Sequence, residues 1–219
     1  MAVVYYYVPE DKLEDVIGCG LKLSEWREGY QSTPWNRIEK PCFSAFLHPL
    51  DDERHKDCLY RCVKLDIPME YCVVYDFDLY RVGSEFPELK EKFLKSMVPL
   101  NDYIFGSIRK PACFVFTTVL SEQISLLGKG MDEPILYENS ETLYVNNILQ
   151  QFSDSYNEFN SVLLYSYLTV QEQKGVFRCY RSGNHNIAVF FDKESEQYIS
   201  IPISDYNKYK FIKFHYTKK

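Results

Sequence analysis

The sequence predicts an α+β fold, with a mixed, largely antiparallel sheet body and flanking helices, followed by a helix and a small antiparallel β meander. Short runs of β-branched and aromatic residues recur along the first two thirds of the chain, with helix-period segments between them. From Gly175 onward, short apolar runs are separated by turn residues, which is typical of a meander. In addition, 46% of the 219 residues are hydrophobic and 16% are aromatic, so the chain has enough apolar surface to build a core.

The first predicted elements are a strand over residues 3–8 and a helix that follows it directly. The strand is apolar, β-branched and aromatic, which favours burial. Pro9 suits the first turn of the helix, and apolar residues at helical spacing give it a buried face before Gly18 and Gly20 end it. Residues 25–40 mix aromatic, charged, glycine and proline positions without a period, so the sequence predicts a long loop there.

Further strands and one more helix complete the predicted body. The apolar or alternating segments that predict strands are residues 42–47, 60–67, 71–80 and 112–120. Leu89, Phe93 and Met97 repeat every four residues among charged neighbours, so the sequence predicts an amphipathic helix between Pro87 and Pro99.

The last third of the chain is predicted to be a packed appendage. A helix begins near Asn139 and Ser140, whose side chains suit a helix start, while residues 162–168 fit either a helix or a strand. Strands are then predicted over residues 176–181, 187–191, 198–203 and 211–216. We therefore expect an α+β body over residues 1–138 and a helix plus β-meander appendage over residues 139–219.

Composition argues against several classes of protein. The 25 Lys and Arg against 31 Asp and Glu give a net charge of −6, which disfavours broad nucleic-acid binding. The last twelve residues nevertheless carry five Lys and no acid. No apolar stretch is long enough for a transmembrane helix, and the N-terminus lacks the features of a secretory signal. The seven cysteines, an odd number, fit reduced thiols, so we expect a cytoplasmic protein without a membrane partner.

Motifs for several common chemistries are missing from the sequence, and one cluster is ambiguous. The nine glycines form neither a dinucleotide-binding fingerprint nor a phosphate loop, and hydrolase and zinc-protease motifs are absent. His48, His55, Cys58 and Cys62 lie close together and are residue types that bind zinc. Their spacing matches no common zinc module, so chance clustering in a cysteine-rich chain is the alternative, and no metal ligand is assigned.

The first three-fifths of the chain show a distinctive order of elements. A first strand, a helix ending in glycine, a second strand and a later strand bearing a glutamate fall at residues 4–8, 13–21, 41–46 and 120–124. This layout resembles the ADP-ribosyltransferase-like superfamily. The resemblance implies that NAD sits in a cleft between two half-sheets, that Ser44 supplies the family's hydroxyl, and that Glu122 supplies the acid that holds the nicotinamide ribose.

The same resemblance places the cofactor against the first strand. The family usually has His or Arg there, facing the cleft, whereas this sequence has Tyr5, Tyr6 and Tyr7. These three tyrosines are therefore the cofactor-binding candidates, and Ser44 and Glu122 are the catalytic candidates. A carboxylate on a strand edge would stabilise the cation that develops as nicotinamide leaves.

The sequence supports two hypotheses of different classes. The first is an ADP-ribosyltransferase-like protein that binds NAD or another nucleotide, with its catalytic competence left open. The second is a non-catalytic interaction protein that binds another macromolecule through a tyrosine-rich surface and the β tail. Its partner is expected to be a protein or a nucleotide. The chain has 19 tyrosines, and tyrosine is enriched at interfaces because it combines apolar area with a polar tip.

Overall fold

The computed structural model describes residues 1–83, 85–128, 137–192, 194–195 and 197–204. The chain separates into two compact units, Met1–Ile148 and Leu149–Lys219. The division falls inside the helix Ser140–Ser155, whereas the boundary expected from the sequence precedes that helix, at residue 138. Each unit contains a sheet and at least part of a helix, which confirms the predicted α+β class.

The first unit is built on an eight-stranded sheet whose described pairs are all antiparallel. Its strands are Ala2–Pro9 (β1), Gly29–Thr33 (β2), Asn36–Phe46 (β3), Tyr60–Ile67 (β4), Cys72–Asp76 (β5), Val98–Pro99 (β6), Pro111–Val115 (β7) and Ile124–Leu126 (β8). Across the sheet the order is β6-β5-β7-β3-β1-β4-β8, and β2 pairs with β3 alongside this path. Strands that follow one another in the chain are therefore often not neighbours in the sheet.

The helices of the first unit connect these strands. They are Leu13–Cys19 (α1), Leu23–Trp26 (α2), Phe77–Gly83 (α3), Pro87–Ser96 (α4) and Ser140–Ser155 (α5), the last of which continues into the second unit. The predicted amphipathic helix is confirmed as α4, with Phe93 buried within it and Met97 buried directly after it. In the described part of the chain, helices are too short or too polar to cross a membrane.

The sequence prediction is wrong in three places, one of which is the strand predicted over residues 112–120, which ends at Val115. Residues 25–40 form α2, β2 and the first part of β3 rather than a long loop. This hairpin is polar and mostly exposed, so no apolar period marks it. The strand predicted over residues 71–80 stops at Asp76, because Asp76 Oδ1 accepts a hydrogen bond from the Leu79 backbone N–H and caps the start of α3.

Alternation along the central strands buries side chains on both faces of the large sheet. Val74 on β5 and Val115 on β7 belong to the larger cluster, on one face. Val73, Tyr75 and Phe114, from the same two strands, belong to a second, aromatic cluster on the opposite face. Strands β5 and β7 are therefore the buried centre of one half of the sheet, which matches their near-continuous apolar sequences.

The second unit consists of a helix packed against a three-stranded antiparallel sheet. Its elements are Phe159–Gln173 (α6), Phe177–Ser182 (β9), Ile187–Asp192 (β10) and Tyr198–Pro202 (β11). The predicted meander is confirmed for these strands, which lie in the order β11-β10-β9. Residues 162–168, left open by the sequence, are helical. The strand predicted over residues 211–216 lies outside the described residues.

Candidate functional site

The large sheet splits between β1 and β3. Along β1, every residue pairs with β4, whereas the pairing with β3 consists of the single pair Tyr5 with Phe46 in these two fully described strands. On its other edge β3 pairs with β7 over residues 43–46, and residues 36–42 of β3 pair with β2. The sheet is thus two half-sheets, β6-β5-β7-β3 with β2 and β1-β4-β8, which part after one pair of residues.

Charged side chains replace strand pairing inside this split. On the β3 side, the Ser44 backbone N–H donates to Glu28 Oε2 at 3.0 Å. On the β1 side, Arg54 Nη1 donates to the Tyr7 carbonyl oxygen at 3.2 Å. The Tyr6 hydroxyl then donates to Glu28 Oε1 at 3.1 Å. Backbone groups at a strand edge need hydrogen-bond partners. Glu28 and Arg54 supply these partners, so β1 and β3 separate without leaving the Ser44 N–H or the Tyr7 carbonyl oxygen unpaired.

Local backbone structure fixes Glu28 at this position. Helix α2 ends at Trp26, and the Glu28 backbone N–H donates to the Cys42 carbonyl oxygen at 2.9 Å. This hydrogen bond starts the pairing of β2 with β3, and it brings the Glu28 carboxylate beside Ser44, two residues further along β3. The carboxylate is therefore oriented by backbone hydrogen bonding before any ligand arrives.

Arg54 is held just as firmly. Its guanidinium forms an ion pair with the buried Asp52 at 2.7 Å, and its Nε donates to both Asp52 carboxylate oxygens. The guanidinium carbon lies 5.3 Å from the centre of the Tyr6 ring. Burial opposes the charge of Arg54, but the hydrogen bonds and charge of Asp52 outweigh it, so the pKa of Arg54 is raised.

The Glu28 carboxylate also affects its neighbours electrostatically. Burial raises the pKa of the Tyr6 hydroxyl, and the nearby charge of Glu28 raises it further. Burial and then Glu28 likewise raise the pKa of the Cys42 thiol to about 12. Both groups are therefore protonated at neutral pH, so Cys42 is a poor nucleophile and Tyr6 acts as a hydrogen-bond donor.

The Ser44 hydroxyl faces the aromatic side of the sheet. It accepts a hydrogen bond from the Tyr75 hydroxyl at 3.1 Å. Tyr75 is fully buried and stacks on Phe114, with the ring centres 3.9 Å apart, and it also contacts Tyr80 and Phe93 edge-on. Tyr80 and Phe93 then line an open groove of about 560 Å³ between the β2–β3 hairpin and the α3–α4 pair. Ser44 is therefore connected to a groove large enough for a ligand, first by its hydrogen bond with Tyr75 and then by the Tyr80 and Phe93 rings that contact Tyr75.

The candidates predicted from the sequence do not all come together. The Tyr6 hydroxyl and the Ser44 backbone N–H both bind Glu28 in the split, whereas the Ser44 hydroxyl, which the resemblance implies as the functional group, faces Tyr75 on the other side of the sheet. Tyr5 and Tyr7 point to the opposite face of β1 from Tyr6, where the Tyr7 hydroxyl donates to the Pro49 carbonyl oxygen at 2.9 Å. Glu122 is exposed in a single 3-10 turn before β8, and β8 is separated from β3 by β1 and β4. At about 5 Å per strand, Glu122 lies well outside the split.

Sequence reasoning missed Glu28 altogether. It lies in the segment that was expected to be a loop, and its two hydrogen-bond partners come from β1 and from β3. Near this position the sequence shows only an acidic residue between Trp26 and Gly29, and a single acidic residue does not indicate a binding or catalytic site. The role of Glu28 depends on strand order, and a single sequence does not contain that information directly.

The cysteine and histidine cluster is spread over different environments. His48 is buried and accepts from the Leu50 N–H through Nδ1, while His55 Nδ1 lies 2.6 Å from the Asp52 carbonyl oxygen. Cys58 is exposed, and burial raises the pKa of Cys62 to about 12. Within the described ranges, three or more His, Cys, Asp or Glu side chains suited to a metal ion are not found together.

Protonation of His48 should destabilise the fold at mildly acidic pH. Burial lowers the pKa of His48 below the ordinary 6.5 and outweighs the charge of Asp51 and the Tyr137 backbone, both of which raise it. With the folded pKa lowered, the stabilisation is complete above about pH 6.5 and is lost as the pH falls through the folded value. We expect the urea midpoint of unfolding to fall between about pH 7 and pH 5 for this reason.

The variant His48→Asn isolates this effect. An asparagine Oδ1 still accepts from the Leu50 N–H but does not titrate. The pKa of Asp51 is raised by burial and contributes with the opposite sign, so the pH slopes of the two proteins must be compared rather than their absolute stabilities. A wild-type slope in His48→Asn would contradict the assignment.

Comparison of the chain with models of known protein families, with curated proteins and with solved structures returned no match.

Proposed function

We propose that this chain is an ADP-ribosyltransferase-like protein that binds NAD or a related nucleotide where β1 and β3 separate. One observation carries the proposal, namely that two half-sheets share a single pair of residues and that the opening beyond it contains the Tyr6 hydroxyl, the Ser44 backbone N–H and the Glu28 carboxylate that binds both. The sequence resemblance expects a nucleotide in a cleft of this kind. Binding of NAD and its cleavage to release nicotinamide are separate parts of the proposal, and each is measured by its own assay.

The charges at the opening suit a nucleotide. Arg54 is half-buried at the opening, and because its Nε and Nη2 bind Asp52, only the remaining N–H groups of the guanidinium are left to contact a phosphate. Trp26 lies edge-on to Tyr6, with the ring centres 6.3 Å apart, and offers a planar surface for a base or a nicotinamide ring. The Glu28 carboxylate would accept hydrogen bonds from ribose hydroxyls. In this proposal Glu28, rather than Glu122, stabilises the positive charge that develops as nicotinamide leaves.

The expected localisation belongs to the same proposal. All seven cysteines lie in the described ranges and are free thiols. Free thiols are typical of a reducing compartment such as the cytoplasm. We therefore propose a cytoplasmic protein.

Thermal unfolding with and without NAD tests the proposal. NAD at a hundred times its dissociation constant should stabilise the protein by about 2.7 kcal/mol. Glu28→Gln keeps the shape of the side chain but removes its charge, so this variant should lose most of the NAD-dependent shift and any release of nicotinamide. Glu122→Gln is the matched control, and it should behave as the wild type because Glu122 is exposed and outside the split.

Two results would count against the proposal. If neither NAD nor ADP-ribose nor simple nucleotides raise the unfolding temperature of the wild type, the split does not bind them. If Glu28→Gln retains the wild-type shift while Glu122→Gln loses it, the ligand binds at the position that the sequence first indicated, not at the split. Circular dichroism of both variants without ligand checks that the fold is intact.

A second candidate function is non-catalytic binding of another protein. The β2–β3 hairpin exposes Tyr30, Trp35 and Ile38, the last two by 54% and 70%, and large apolar side chains this exposed on one hairpin favour an interface. The NAD titration separates the two functions, because a partner that binds this hairpin needs no nucleotide in the split.

A further inference from the structure

A groove in the first unit separates the β2–β3 hairpin from the α3–α4 pair. Its volume of about 560 Å³ is within the usual range for a site that binds a small molecule. The helical wall is firmly packed, because the Tyr80 and Phe93 rings contact each other with their centres 5.3 Å apart. Gly83 also approaches α4 so closely that an added β-carbon would lie 3.6 Å from the Lys90 backbone. The groove is therefore formed before a ligand binds.

Three aromatic rings from three different elements line this groove. Tyr30 comes from β2, Tyr80 from α3 and Phe93 from α4. Phe93 is buried, whereas Tyr30 is 51% exposed and Tyr80 is 37% exposed, so these two rings are open to a ligand. Aromatic side chains that border one groove favour contact with another planar ring, either stacked or edge-on. The lining therefore suits a ligand with an aromatic ring.

One acid and one base complete the lining. Glu39 lies on β3 in one wall, and Lys90 lies on α4 in the other. Within the described ranges, neither side chain has an ion-pair or hydrogen-bond partner. Both are long and exposed, so both can reach a ligand that is held between the walls. Their opposite charges complement a ligand that carries both an ammonium group and a carboxylate.

We propose that this groove binds a small aromatic zwitterion, of which a free aromatic amino acid is the simplest example. The ring of the ligand packs against Tyr30 and Tyr80, its ammonium group contacts Glu39, and its carboxylate contacts Lys90. The inference does not rest on nucleotide binding at the split, which involves other side chains.

Isothermal titration calorimetry of the full chain with tryptophan tests the inference. Three analogues each lack one feature of this probe: indolepropionate has no ammonium group, tryptamine has no carboxylate, and leucine has no aromatic ring. Tryptophan should bind more tightly than any of the three, because only tryptophan satisfies both charges and the rings together.

Two charge variants assign the ends of the ligand. Glu39→Gln should weaken tryptophan binding about two- to fivefold and leave indolepropionate binding unchanged, because this analogue has no ammonium group. Lys90→Gln should weaken tryptophan binding to a similar extent and leave tryptamine binding unchanged. Lys92→Gln is the matched control, since Lys92 is exposed on the same helix but does not line the groove.

A ring variant completes the test. Tyr30→Ala should weaken tryptophan binding about fivefold or more through loss of the ring contact. Trp35→Ala is its control, because Trp35 is equally exposed on the same hairpin but does not line this groove. The inference is overturned if tryptophan does not bind at millimolar concentration, if leucine binds as well as tryptophan, or if Tyr30→Ala and both charge variants bind as the wild type does. It is also overturned if Trp35→Ala weakens binding as much as Tyr30→Ala.

Discussion

Replacing Tyr75 with alanine should lower the free energy of unfolding by about 3–5 kcal/mol, the usual range for removing a buried aromatic ring. Tyr75 is fully buried on β5, stacks on Phe114 and contacts Tyr80 and Phe93. Alanine would leave a cavity in the centre of this aromatic cluster, and the neighbouring rings are too rigid to fill it. Urea denaturation at neutral pH, with the slope checked for two-state behaviour, measures the change.

Tyr75→Phe separates the ring from its hydroxyl group. This variant keeps the stacking on Phe114 and removes only the hydrogen bond to Ser44 Oγ, so it should cost about 1 kcal/mol. If Tyr75→Phe proved as damaging as Tyr75→Ala, the hydroxyl contact rather than the aromatic packing would dominate this region. Ser44→Ala, which removes the other half of the same hydrogen bond, should resemble Tyr75→Phe.

Replacing Gly20 with alanine should lower the free energy of unfolding by about 3 kcal/mol or more. Gly20 follows α1 with φ of 80° and ψ of −179°, a conformation that costs other residues about 1–3 kcal/mol. A β-carbon there would also lie 2.3 Å from the Val119 carbonyl oxygen, which accepts the Leu21 N–H in the bridge between the two segments. The backbone would have to move, so this bridge would weaken.

Gly18 provides a matched control for Gly20. It lies within α1, and a β-carbon at this position would have no heavy atom within 4 Å. Gly18→Ala should therefore stabilise the protein by about 0.5–1 kcal/mol, since glycine in a helix loses more conformational freedom than alanine. If Gly18→Ala and Gly20→Ala had similar free energies of unfolding in urea, a β-carbon at Gly20 would not clash with Val119, and this explanation would be contradicted.

Much of the fold could be predicted because buried strands and helices have recognisable apolar sequence patterns. Strands β1, β5 and β7 lie inside the sheet and have apolar, β-branched or aromatic sequences, and α4 repeats its buried positions with a helical period. The β2–β3 hairpin could not be predicted in the same way. Most of its tip is polar and at least partly exposed, so backbone pairing alone defines these strands.

The candidate site shows the same limit. The apolar pattern predicts the strands that carry Tyr6 and Ser44, and the Tyr6 hydroxyl and the Ser44 backbone N–H lie at the split, but the pattern does not indicate that the Ser44 hydroxyl faces Tyr75 on the other side of the sheet. The sequence does not predict the role of Glu28. Its carboxylate binds the Ser44 backbone N–H, sixteen positions away in the chain, and the Tyr6 hydroxyl on the other side of the split. Glu122 was placed by analogy of layout, and strand order puts it elsewhere.

On the ribosome, neighbouring strands of the large sheet become available for pairing at different times. Strands β1 and β4 are both available once residue 67 has been made. Strands β3 and β5 must wait for β7, which lies between them and begins only at Pro111, after β5 has ended at Asp76. At 5–20 residues per second this wait lasts about two to seven seconds. During it, the charged residues Arg37, Glu39 and Lys40 near the start of β3 disfavour pairing with strands of neighbouring chains.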